Sequence, residues 1–156
     1  MPDSQVMADL DGAVKWAADH GSDTTKLVIT GCCWGGRITW LYASHAPAKA
    51  GVAWYGKLIG SASRLRPKNP VDVVAALQGS VLGLYGGNNS SIPLDNIDSV
   101  KRVLAGSSAA ARASRFVVYP DAPHAFQADY RPSFRERDAQ DGFRRCLKWF
   151  SANGIV

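Results

Sequence analysis

The sequence predicts an α/β domain with about four parallel strands in one sheet and helices on both of its faces. Three observations lead there. Short runs rich in β-branched residues alternate with longer segments of helical periodicity. The strand-like runs are continuously apolar rather than alternating, as in strands covered on both sides. At 156 residues the chain suits one hydrophobic core rather than two, so 1–156 reads as a single domain. Strand–helix–strand units of this kind cross over a parallel sheet.

Ser4 to about His20 places Val6, Met7, Leu10, Val14 and Ala17 on one helix face, with Ser4 as N-cap and Gly21 as terminator. Lys26–Thr30 (KLVIT) predicts a strand buried on both faces. Gly31–Gly36 is a tight turn, and Arg37–His45 a helix that stops before Pro47. Ala50–Tyr55 predicts the second strand, a polar loop follows to Pro70, and Val71–Leu77 predicts a short helix. Val81–Tyr85 is the third strand, and about Leu94–Ala105 the next helix. Arg115–Tyr119 is the fourth strand. A final amphipathic helix over about Glu136–Ala152 gathers Ala139, Phe143, Cys146, Leu147 and Phe150 on one face.

Composition narrows the function classes. The net charge of +5 is mild, and the basic residues are spread along the chain without a dense run or a nucleic-acid motif. No stretch is apolar enough to span a bilayer, and no signal-peptide core opens the chain. Cys32 and Cys33 are adjacent and Cys146 is remote, which suits a reducing cytoplasm better than a disulfide framework. His20, His45 and His124 are isolated from one another, so neither a metal nor another cofactor is expected.

Gly31-Cys32-Cys33-Trp34-Gly35-Gly36 carries the chemistry. Lying between a buried strand and a helix, it fits G-x-nucleophile-x-G, a strained turn that lifts a nucleophile above the sheet edge. Small neighbours let strand and helix approach closely. The helix N-terminus favours a thiolate at Cys33, and the Trp34 N–H is available to an oxyanion. Cys32 is expected to point into packing. A disulfide between the adjacent cysteines would strain the turn. His124, in the loop after the fourth strand, is the candidate base. The matching acid belongs after the third strand, where Gly86–Pro93 offers no carboxylate.

The segments GCCWGGRITWLYASH (31–45), GVAWYG (51–56), VLGLYGGNNSSIP (81–93) and YPDAPHAFQADYRPSF (119–134) resemble those of the dienelactone hydrolase family, carboxymethylenebutenolidase-like α/β-hydrolases. The resemblance runs along essentially the whole chain. It implies a Cys-His-Asp triad that cleaves a lactone or small carboxylic ester through an acyl-enzyme. Cys33 then matches the nucleophile, His124 the base, and Asn89 the position of the acid. An Asn can still orient an imidazole, as in Cys-His-Asn enzymes, but without a stabilising charge. Asp95, Asp121 and Asp129 are weaker substitutes.

The resemblance also implies strands before the first one here, an oxyanion-hole donor from one of their loops, and a glutamate that contacts the resting thiol. The expected architecture is therefore an α/β-hydrolase fold lacking its N-terminal strands. Where family members carry an Arg that binds the substrate carboxylate, this chain has Ala128, and Arg131 is the nearest replacement. An unpaired edge at Lys26–Thr30 would seek a partner, so a homo-oligomer is expected. The rival to hydrolysis is a weakly active or inactive hydrolase-fold protein serving in binding or assembly.

Overall fold

A computed structural model describes residues 1–155. Helix α1 (Asp3–Asp19) precedes strand β1 (Val28–Cys32), α2 (Trp34–His45) and β2 (Ala50–Trp54). The single-turn helix α3 (Pro70–Val73) leads to β3 (Ser80–Gly86). Helices α4 (Leu94–Ala105) and α5 (Ala109–Ala113) precede β4 (Arg115–Tyr119), and α6 (Glu136–Ala152) follows. The four strands form one parallel sheet in the order β1-β2-β3-β4, the α/β-hydrolase arrangement anticipated from the sequence.

Alternation along the strands shows how both faces are covered. A side chain at Gly51 would press on Thr39 of α2, and Phe116 stacks on Trp40 of the same helix. Trp54 points the other way, against Gly142 of α6, and Tyr119 donates a hydrogen bond to Asp141 of α6. Successive residues thus serve opposite layers. The core centres on β2 and β3, every residue of which is buried, with Trp40, Leu58 and Phe126 packed around them.

Helix α1 lies against α2 rather than directly on the sheet core. Val6 packs on Ile38 and Leu41. Arg37 donates two 2.7 Å hydrogen bonds to the Asp3 carboxylate and a third to the Lys68 carbonyl. No helix among the described residues is long and apolar enough to cross a membrane.

Several sequence expectations change in detail. The residue before α1 is Pro2, so Ser4 lies inside the helix rather than capping it, and Asp3 turns inward to meet Arg37. Strand β1 is shifted two residues towards the elbow, and as the sheet edge it is only half-buried instead of covered on both faces. Helix α2 begins at Trp34, three residues earlier than Arg37. The expected helix over 71–77 splits into α3 and a 3₁₀ turn (Val74–Ala76). Helix α5 lies in a segment where no helix was expected. On α6 the inward positions are Gly142 and Cys146, whereas Phe143 and Leu147 are exposed.

Candidate active site

Parallel pairing in register brings the C-terminal ends of all four strands to one edge, with Cys32 beside Trp54 and Gly86 beside Tyr119. Among the described residues, three non-glycine positions have positive φ: Cys33 (54°) and Tyr55 (36°), directly after β1 and β2, and Ala125 (61°), in the loop after β4. Backbone strain of this kind persists only where surrounding structure over-determines it, and such positions cluster at functional sites.

Two close approaches hold the elbow. A Cβ at Gly31 would stand 2.5 Å from the backbone of Gly35, and one at Gly36 would stand 2.5 Å from the Trp54 carbonyl oxygen. The start of α2 therefore lies almost in backbone contact with β1 and the end of β2. Gly35, by contrast, has open space where its own side chain would be. Cys33 occupies the N-cap position of α2 with φ 54° and ψ −115°. Its N–H donates to the Trp54 carbonyl at 3.0 Å. Trp34 is the first residue of α2, where an N–H has no intrahelical acceptor.

The loop after β4 brings His124 over this turn. His124 Nε2 lies 3.3 Å from Cys33 Sγ, although 91 positions separate the two residues. On the other side of the ring, the Asn89 amide nitrogen lies 3.1 Å from Nδ1. The Asn89 side-chain oxygen is turned away and accepts from the Ser91 N–H at 3.2 Å and the Ser91 hydroxyl at 2.7 Å. Thiol, imidazole and amide thus form one chain of contacts across β1, β4 and β3. Asp95, Asp121 and Asp129 make no hydrogen bond to His124 among the described residues. Partial burial holds the His124 pKa below the ordinary histidine value, and the positive charge of Arg131 acts in the same direction.

Cys32 does not point into packing. It lines the same cavity of about 290 Å³ as Cys33, His124 and Arg131. Gln127 donates to Cys32 Sγ and to the Tyr55 hydroxyl, both at 2.9 Å. Cys32 is exposed as a residue, but desolvation of its sulfur pushes the thiol above the ordinary cysteine range, with the hydrogen bonds of Gln127 and Tyr55 acting the other way. A thiol kept protonated is a poor nucleophile. All three cysteines are free.

Tyr55 and Gln127 were not singled out from the sequence. The Tyr55 ring meets His124 edge-on at 5.0 Å between centroids, and burial raises its hydroxyl well above the usual phenol range. The only available signal for either was position: Tyr55 directly follows β2, and Gln127 lies three residues after His124. Ala128 is buried in the cavity wall, while Arg131 stands at its rim with its guanidinium 5.5 Å from the Tyr130 ring centre.

Residues 1–154 match the dienelactone hydrolase family. The chain belongs to that family. It is 58% identical to a "Putative carboxymethylenebutenolidase" from Methylorubrum extorquens, covering all of this chain and 53% of that protein. It is 54% identical to a protein of the same name from Salmonella typhimurium, covering 99% of this chain and 56% of that one. The crystal structure of a "Putative Dienelactone Hydrolase" from Klebsiella pneumoniae superposes with a TM-score of 0.91 at 54% identity, over 96% of this chain and 62% of the other. This chain therefore spans little more than half the length of these family members.

Proposed function

We propose that this chain carries the nucleophile and base of a site that cleaves a small carboxylic ester or lactone through an acyl-enzyme. The observation that carries this reading is the 3.3 Å approach of His124 Nε2 to Cys33 Sγ above a strained strand-to-helix turn. Nucleophile and base within hydrogen-bond reach, with a third group on the far side of the base, is the general signature of nucleophilic catalysis.

In the proposed reaction His124 takes the Cys33 proton as the sulfur attacks the ester carbonyl. The Trp34 N–H stabilises the resulting oxyanion. The alcohol leaves with the proton held on His124, and water, activated by the same imidazole, releases the acid and restores the thiol. Arg131 at the rim offers a cation to an acidic substrate, and no metal or other cofactor enters the scheme. Relatives named for carboxymethylenebutenolidase activity support the lactone class. Acylation and turnover with p-nitrophenyl acetate test the scheme. Covalent acylation of Cys33, read by intact-protein mass, is expected in the wild type and not in Cys33→Ala; acylation or p-nitrophenol release that survives unchanged in Cys33→Ala rejects the nucleophile.

A second reading, a weakly active or inactive hydrolase-fold protein used in binding or assembly, is favoured by Asn89 at the acid position. We also infer a homo-oligomer. Strand β1 is a half-buried edge, and beside it a cleft of about 390 Å³ is lined by Leu10, Val14, Leu27 and Ile29. Open apolar edges of this kind favour association. Light scattering tests this inference, and a monomeric mass overturns it.

A further inference from the structure

We infer that Asn89, fixed by Ser91, holds His124 in the tautomer that cannot accept the Cys33 proton, so the site is throttled by its third residue. The inference deepens the proposed function and rests on it. The backbone N–H of Ser91 can only donate, and it points at one end of the Asn89 amide. That end must therefore be the oxygen, which the Ser91 hydroxyl also reaches at 2.7 Å. The opposite end, 3.1 Å from His124 Nδ1, must be the NH₂ group. An NH₂ group has no lone pair to offer, so Nδ1 has to be the acceptor.

A neutral imidazole carries one ring proton. With Nδ1 accepting from Asn89, that proton sits on Nε2 and is directed at Cys33 Sγ, 3.3 Å away. The nitrogen that should take the thiol proton already holds one. Protonating the ring fully would set an Nδ1–H against the Asn89 NH₂, so the imidazolium–thiolate pair is also disfavoured. Asn89 is buried, and no second acceptor contacts Nδ1 among the described residues.

A carboxylate at the same position has two acceptor oxygens. One would keep both Ser91 donors, and the other would accept an Nδ1–H and free Nε2. In a serine triad, replacing the acid by its amide lowers kcat about 10⁴-fold through this tautomer error. A thiol needs less assistance than a hydroxyl, so Asn89→Asp is expected to raise the acylation rate about 10²-fold.

The test pairs a spectroscopic readout with kinetics. Long-range ¹H–¹⁵N correlation spectra of ¹⁵N-histidine-labelled protein, with His124→Ala for assignment, identify the protonated ring nitrogen. Wild type is expected to carry the proton on Nε2, and Asn89→Asp on Nδ1. Asn89→Ala removes the donor without adding an acceptor, and its acylation rate is expected to equal or exceed that of wild type. If Asn89 instead orients a productive imidazole, that rate falls. A wild-type proton on Nδ1 overturns the inference, as does a tautomer change in Asn89→Asp without faster acylation. Failure of the underlying reading is separable: His124→Ala added to Asn89→Asp would then acylate as fast as Asn89→Asp alone, whereas a working base makes that rate fall.

Discussion

On its Nε2 side His124 meets a sulfur held by backbone; on its Nδ1 side it meets an amide held by another side chain. The sulfur's position follows from the close approach of Gly31 and Gly36 to neighbouring main chain, from the Cys33 φ of 54° and from a main-chain bond to Trp54. The amide is set by a local turn in which Ser91 donates twice to Asn89. A change at the elbow disturbs the contact of α2 with the sheet, whereas exchange of a carboxylate for an amide of the same shape keeps the heavy atoms in place and changes charge and protons.

The largest expected effect is on the sulfur side. Cys33→Ala should lower p-nitrophenyl acetate turnover by about 10³-fold or more, since removing a nucleophile eliminates the covalent route altogether. The fold should be unaffected, because the Cys33 residue is exposed and only its backbone holds the turn. An unchanged thermal midpoint together with lost turnover is the expected pair of results.

Next comes the packing beneath the elbow. Gly36→Ala would bring a methyl group within 2.5 Å of the Trp54 carbonyl oxygen and 2.9 Å of the Gly56 nitrogen. Neither atom can move without shifting β2 or the start of its loop, so a loss of about 3 kcal/mol in urea unfolding is expected, the upper range for overpacking. Gly35→Ala, which meets open space, is the control and should cost about 1 kcal/mol or less. If the two variants are equally stable, the close-approach account of the elbow fails.

A similar loss is expected where α1 is tied to α2. Arg37 and Asp3 form a buried bidentate pair with side chains only 8% and 12% exposed. Arg37→Met should cost about 3 kcal/mol, because it leaves the Asp3 carboxylate without its partner. The double variant Asp3→Leu/Arg37→Met should recover much of that loss, and urea unfolding of both variants measures the coupling.

Much of this architecture was legible in the sequence, for a definite reason. Apolar runs and glycines record the sheet and the elbow directly, so β3, β4, α4 and α6 fall where periodicity places them, and Cys33 stands out by the glycines around it. Misplaced elements sit where tertiary contact overrides local pattern. Asp3 enters α1 because Arg37 receives it, and β1 extends to Cys32 because the elbow begins only at the next residue. Cys32 is expected to point into packing, but its sulfur belongs to the cavity through Gln127, a contact across 95 positions that no local pattern encodes. Likewise, a sequence shows that residue 89 is Asn but not which end of its amide faces the histidine.

The smallest expected effect concerns the charge state of His124. Its pKa lies below the ordinary value first through burial and then through Arg131, so protonation is harder in the folded chain than in the unfolded one. Its contribution to stability is thus fully present above the unfolded value of about 6.5 and is lost as pH falls through the lower folded value. The acid limb of kcat/KM, which reports the free enzyme, should accordingly fall below pH 6.5. Arg131→Gln removes the second cause and leaves the first. The limb should move towards higher pH, as expected on removing a partly screened positive charge at the cavity rim. Added salt should move the wild-type limb in the same direction and leave the variant's almost unchanged. If Arg131 also receives substrate, KM for an acidic ester should rise in the variant while KM for p-nitrophenyl acetate stays constant. A limb that does not move, with both KM values unchanged, would assign Arg131 to the solvated rim alone.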